Sequence, residues 1–194
     1  MKKLVALSLI LINGLIFGQN NETIKYLLAG KIGKSIPIHG SYLKNNWGGG
    51  PYFCLDLIKK SNPIDFIVGF DYEYLSLGDD KIQFITPHLG ILHIFNKGKF
   101  NLTPSINLGY SWLNYTIGKG MISVPEIPVK EYHQNGLSAS FDLRLAYDVT
   151  DKLQIGIGDS YLNIFESFGA TEPKPENSKI IGLNRPYISF ALKM

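Results

Sequence analysis

The chain has 194 residues, of which 45% are hydrophobic, 12% aromatic and only 18% charged. That is too apolar for a disordered chain, and it falls short of the roughly 25% charge usual in soluble domains. The formal charge is +3 with 19 basic and 16 acidic residues; Lys2 and Lys3 belong to the leader described next, and the rest shows no basic patch of the kind a nucleic acid requires.

The leader comes first. Met1-Lys2-Lys3 is followed by an apolar run from Leu4 to Phe17 and then by Gly18-Gln19-Asn20. A short basic start, an apolar run of this length and small or polar residues after it predict a secretory signal peptide over 1–19, cleaved near Gly18 or Gln19. The run is too short to span ~30 Å of hydrocarbon, and Asn13 and Gly14 interrupt it. The only cysteine, Cys54, lies far from this segment, so no lipidation is expected. With a single cysteine, neither an internal disulfide nor a cysteine-based zinc centre is expected.

From residue 20 to 194 the chain reads as one domain of alternating strands. Weaker alternation marks 24–33 and 50–59. Around 65–75, Phe66, Val68, Phe70, Tyr72 and Tyr74 oppose Asp65, Gly69, Asp71 and Glu73. A weak strand fits 81–95. The clearest segment is 99–112, where Phe100, Leu102, Pro104, Ile106, Leu108, Tyr110 and Trp112 share one face. The other face holds Lys99, Asn101, Thr103, Ser105, Asn107, Gly109 and Ser111. A strand with one wholly apolar and one polar or small face separates two different media. Segment 137–149 repeats the pattern with Leu137 to Val149 against Ser138 to Asp148. A weaker strand at 152–164 and a last one at 187–194 complete eight. No downstream segment reaches the ~18 apolar residues of a membrane helix, but a membrane-spanning strand needs only ~9–11 residues.

The connections carry independent information. Breaks rich in Asn, Gly and Pro fall at 34–49, 60–63, 76–80, 96–98, 115–135, 150–151 and 166–182. The even-numbered ones are tight, and the first, fifth and seventh are long. In an up-and-down barrel this sorts short turns to one rim and long loops to the other.

The basic leader, the eight alternating strands, the loop parity and the strand ending at Met194 resemble the small outer-membrane β-barrels of Gram-negative bacteria, the OmpA-like and porin-like family. Gly49-Gly50-Pro51-Tyr52-Phe53 followed by Leu55-Asp56-Leu57 resembles that family's second strand. The run Ile188, Phe190, Leu192, Met194 resembles its C-terminal insertion signal, with Met194 where an aromatic is usual. The resemblance implies an all-β, eight-stranded antiparallel up-and-down transmembrane β-barrel in the cell outer membrane. It implies outer-membrane lipids and the barrel-assembly machinery as partners.

Alternation permits the apolar face to point outward to lipid or inward, as in a soluble periplasmic lipocalin-like ligand-binding barrel. The polar face favours lipid, because it carries Ser, Asn, Thr and Gly rather than the Lys and Glu of a soluble surface. Tyr72, Tyr74, Tyr110, Trp112 and Tyr147 stand near strand ends, where interfacial aromatic girdles lie. Charges on the polar face then fall inside a narrow lumen. Lys31, Asp56, Asp71, Glu73, Asp142 and Arg144 are expected to interlock as ion pairs, with Arg144 bridging carboxylates as the hub.

No cofactor and no metal is called for. Gly33-Lys34-Ser35 ends like a phosphate-binding loop, but Leu28 stands where the first glycine belongs. His88 and His93, five apart, face opposite sides of a strand. An outer-membrane lipid-modifying enzyme would use a serine and a histidine, such as Ser160 with His88 or His133, but no nucleophile–base signature places them together. The favoured role is structural or interactive, through loops 34–49, 115–135 and 166–182. These hold Tyr42, Trp47, Tyr132 and Phe168, amphipathic side chains of the kind interfaces use.

Overall fold

The computed structural model describes residues 26–39, 48–61, 64–77, 80–117, 130–166 and 180–194. The leader expected over 1–19 lies outside them, as do Tyr42, Trp47 and Phe168 and most of the three long connections. The described strands are β1 (Tyr26–His39), β2 (Gly50–Lys59), β3 (Asp65–Leu77), β4 (Asp80–Leu92), β5 (Phe95–Lys97), β6 (Phe100–Ile117), β7 (Lys130–Asp148), β8 (Leu153–Glu166) and β9 (Ile180–Lys193). Consecutive strands pair antiparallel except β4 and β5, which both pair with β6, and β1 pairs with β9, which closes the sheet on itself.

β5 is not a ninth stave. Leu92 faces Ser105 and Phe95 faces Leu102 in one continuous register along β6. The break between them lies opposite Pro104, which has no N–H to offer the ladder; His93 N still donates to the Pro104 carbonyl at 3.2 Å. β4 and β5 are thus one broken strand, and the barrel has eight. Prolines interrupt two other ladders in the same way. The β4–β6 pairing skips Thr86 and Pro87, where Thr86 Oγ1 meets Ser111 Oγ at 2.7 Å inside the barrel. The β1–β9 pairing skips the two positions opposite Arg185 and Pro186.

Both described ends meet at one rim, where Tyr26 N donates to Met194 O at 3.0 Å and Met194 N to Tyr26 O at 2.8 Å. The connections at that rim are short. Gly98, at φ 64°, turns β5 into β6, a conformation that favours glycine. Thr150 Oγ1 accepts from the backbone N–H groups of Lys152 and Leu153 to turn β7 into β8. The opposite rim carries connections 40–49, 78–79, 118–129 and 167–179. The long loops are shorter than the expected 34–49, 115–135 and 166–182. The ladders run through Pro37, Tyr115 and Asn135, which fall within the expected breaks but pair here.

The apolar faces point outward. Ile106 and Leu108 are 57% and 61% exposed, while Asn107 between them is 4% exposed. The same alternation holds for Phe141, Leu143 and Leu145 around the barrel. Along β6 the apolar face from Phe100 to Trp112 rises about 30 Å, taking ~3.4 Å per residue and a ~40° tilt. Aromatic pairs cap it at each end, Phe100 with Tyr147 (centroids 5.2 Å apart) and Tyr110 with Trp112 (5.1 Å). An inward-facing apolar orientation, as in a lipocalin, is therefore excluded.

The lumen is layered. Towards the long-loop rim, inward side chains are apolar: Leu75, Ile82, Phe84, Leu113, Tyr115, Leu162, Ile164, Ile181 and Leu183. Towards the terminal rim, Leu27, Ala29, Ile58, Ile67, Leu92 and Ala191 form a second apolar layer. The charged residues lie between them.

Candidate functional site: a charged layer inside the barrel

Inward positions of β1, β2, β3, β4, β7 and β9 carry the charges. Lys31 Nζ on β1 lies 2.9 Å from Asp56 Oδ2 on β2 and 2.9 Å from Asp142 Oδ2 on β7. Asp142 Oδ1 accepts a 2.7 Å hydrogen bond from Tyr187 OH. On the other side of Asp56, Oδ1 meets His88 Nε2 at 3.0 Å and accepts from Cys54 Sγ at 3.2 Å. His88 Nδ1 faces Asp71 Oδ2 at 3.6 Å.

Arg185 on β9 ends this chain of contacts. Its Nη1 donates to Asp71 Oδ2 at 2.8 Å and to Glu73 Oε1 at 3.0 Å, and its Nη2 donates to Ser160 Oγ at 2.8 Å. Its carbon stands 4.7 Å from the Tyr52 ring centroid, and Tyr52 OH donates to Asp71 Oδ1 at 3.2 Å. Ser35 Oγ donates to the remaining oxygen of Glu73. Every one of these side chains is buried. A charge is tolerated in such a place only when it is paired and hydrogen-bonded, and here each carboxylate has at least two partners.

Glycines make the reach possible. Gly69 on β3 pairs with Asp56 on one side and His88 on the other. A Cβ there would fall inside contact distance of Asp56 Oδ1 and His88 Nε2, so the missing side chain is the window through which these two meet. Gly158 on β8 does the same for the Tyr187 hydroxyl, which crosses it to reach Asp142.

A cavity of about 10 Å³ lies between Lys31, Asp142 and Arg144, room for a single water. Among the described residues, apolar side chains fill the lumen above and below this charged layer.

No family model matches the sequence, and no curated protein matches it. Solved structures do match in shape. Neisserial surface protein A (NspA) superposes with a TM-score of 0.59 at 13% identity, over 88% of this chain and 97% of that one. A major outer-membrane protein from Thermus thermophilus gives 0.59 at 11% identity, over 89% and 100%. Ail, the attachment invasion locus protein of Yersinia pestis, solved with the heparin analogue sucrose octasulfate, gives 0.54 at 9% identity, over 89% and 100%. The fold is that of the small outer-membrane β-barrels.

Within this outer-membrane barrel fold, Lys31, Asp56, Asp71, Glu73 and Asp142 come together in one layer. Arg144 is not their hub. Its Nη2 donates to Gln154 Oε1 at 3.0 Å, and Gln154 leads on to Asp148, which Lys193 pairs at 2.9 Å near the terminal rim. The cation that bridges Asp71 and Glu73 is Arg185. Its signal is the inward series Leu183, Arg185, Tyr187, Ser189, Ala191, of which the strand expected from 187 takes in only the last three. Ser160 Oγ is held by Arg185, and His133 Nδ1 meets Asn114 Oδ1 at 2.7 Å at an exposed position, so neither histidine reaches that serine. Cys54 and His88 enter the layer from strands whose spacing gives no hint that they meet. Their ligand atoms and that of Asp56 lie within 4.8 Å of one another.

Proposed function

We propose that this chain is an integral barrel of the cell outer membrane whose lumen is a closed, cross-linked plug. Its work is structural or is carried out by loops on the rim opposite the termini. The observation that carries this is the inversion of the barrel: large apolar side chains face outward in an unbroken belt, while ionised ones face inward between two apolar layers. Only hydrocarbon outside and a sealed interior make both choices favourable together. Outer-membrane lipids then cover the belt, and the barrel-assembly machinery inserts it. An extracellular partner would meet connections 40–49, 118–129 and 167–179, where Tyr42, Trp47 and Phe168 supply contact area.

Cell fractionation tests this. The protein is expected to sediment with outer membranes, to resist salt and urea washes and to need detergent for extraction. Recovery as a soluble periplasmic monomer would overturn the reading.

A further inference from the structure

We propose that Cys54, Asp56 and His88 form a site for one divalent cation of the zinc class, inside the barrel. Cys54 and Asp56 are two apart on β2 and share the inward face, and His88 reaches them from β4 across Gly69. Asp56 Oδ1 lies 3.2 Å from Cys54 Sγ and 3.0 Å from His88 Nε2. Bonds of ~2.3 Å to sulfur and ~2.0 Å to nitrogen and oxygen at tetrahedral angles set donors roughly 3.3–3.5 Å apart. Asp56 Oδ1 thus already stands within a few tenths of an ångström of coordination spacing from each of the other two donors, and all three lie within 4.8 Å of one another. A mixed sulfur, nitrogen and oxygen set suits zinc rather than calcium or magnesium, which choose oxygen alone. Three protein donors leave the fourth position to a small ligand such as water.

Two further features are those of a built metal site. The second nitrogen of His88 faces Asp71 Oδ2 at 3.6 Å and has no hydrogen-bond partner among the described residues. A carboxylate behind the ligating histidine is the arrangement that orients imidazole on a metal. Asp71 is itself held by Arg185 and Tyr52, so this support is rigid.

When the ion binds, Cys54 ligates as the thiolate and His88 through an unprotonated Nε2, so the protons those two atoms carry are released.

The test exploits the chain's single cysteine. The full chain is refolded from urea into detergent with Co²⁺ present, then dialysed against a chelator, since the site is sealed once the barrel closes. The expected result is one cobalt retained per folded barrel, with a thiolate-to-cobalt charge-transfer band that only Cys54 can supply. The band should vanish in His88→Gln, or in Asp56→Asn should that variant fail to fold. In Asp71→Asn it should persist with affinity weakened ~10–100-fold. A folded wild-type barrel without the band, a band that survives loss of His88 or Asp56, or unchanged affinity without Asp71 would overturn the proposal.

Discussion

Arg185→Met is the sharpest perturbation of the lumen. Methionine keeps most of the side-chain length but removes a cation that touches two buried carboxylates, at 2.8 and 3.0 Å. Each bond is charge-assisted and worth ~1.5–3 kcal/mol. The pair of them agrees with the ~3–5 kcal/mol lost when one partner of a buried ion pair is removed. Stacking on Tyr52 and the bond to Ser160 are lost as well. Urea unfolding in lipid vesicles, followed by tryptophan fluorescence, should therefore show a loss of at least ~3 kcal/mol. Adding Asp71→Asn and Glu73→Gln in the same chain should recover much of it, because the stranded charges are then gone. Arg144→Met provides the contrast. Its described bond is to the neutral Gln154, worth ~0.5–1.5 kcal/mol, so its loss should be clearly smaller. An Arg185→Met barrel within ~1 kcal/mol of the parent, or strict additivity of the combined losses, would refute this account of the network.

The two faces of the wall should respond differently to charge. Ile106→Arg or Leu143→Arg, on the outward belt, should each lower stability in vesicles by ~2–4 kcal/mol, whereas Ser140→Arg should prevent correct folding by overfilling the lumen; equal tolerance at both faces would contradict the orientation. A change of glycine to alanine ordinarily gains about 0.5–1 kcal/mol within a strand, but in Gly69→Ala the new Cβ collides with Asp56 and His88, so a loss of ~1–3 kcal/mol is expected, partly recovered by His88→Ala in the same unfolding assay. In planar bilayers the purified barrel should show no stable channel of large conductance, since eight strands enclose room only for side chains or one small ligand.

The outer wall was legible because lipid and lumen impose opposite demands on alternate residues. β6 shows this most fully between Phe100 and Trp112. Beyond Trp112 the signal fades, since Leu113 and Tyr115 face inward into an apolar layer and both faces become apolar or mixed. The expected loops therefore began too early and ended too late. The expected last strand begins only at 187, so the entry of β9 from Ile180 is missed, whereas the single strand expected over 81–95 matches β4 and β5 as one stave broken opposite Pro104.

Interior partners were harder still. Asp142 and Arg144 are two apart on one face, yet Asp142 binds Lys31 and Tyr187 while Arg144 turns to Gln154. Arg185 and Asp71 are 114 residues apart and meet because of the stagger between strands, which periodicity does not encode. The Cys54, Asp56 and His88 cluster depends in addition on Gly69, whose importance is visible only once its two neighbours are placed.

The claim beneath all of this is that the apolar face meets lipid. Trp112 lies on that face, packed on Tyr110, and the chain's other tryptophan is Trp47. In a Trp47→Phe variant refolded into vesicles, Trp112 fluorescence should be quenched strongly by lipids brominated near the headgroup end of the acyl chain. Quenching should weaken as the bromines move towards the bilayer centre, and aqueous acrylamide should have little effect. Strong acrylamide quenching with no response to any brominated lipid would show that the belt faces water, and the membrane assignment would fall with it.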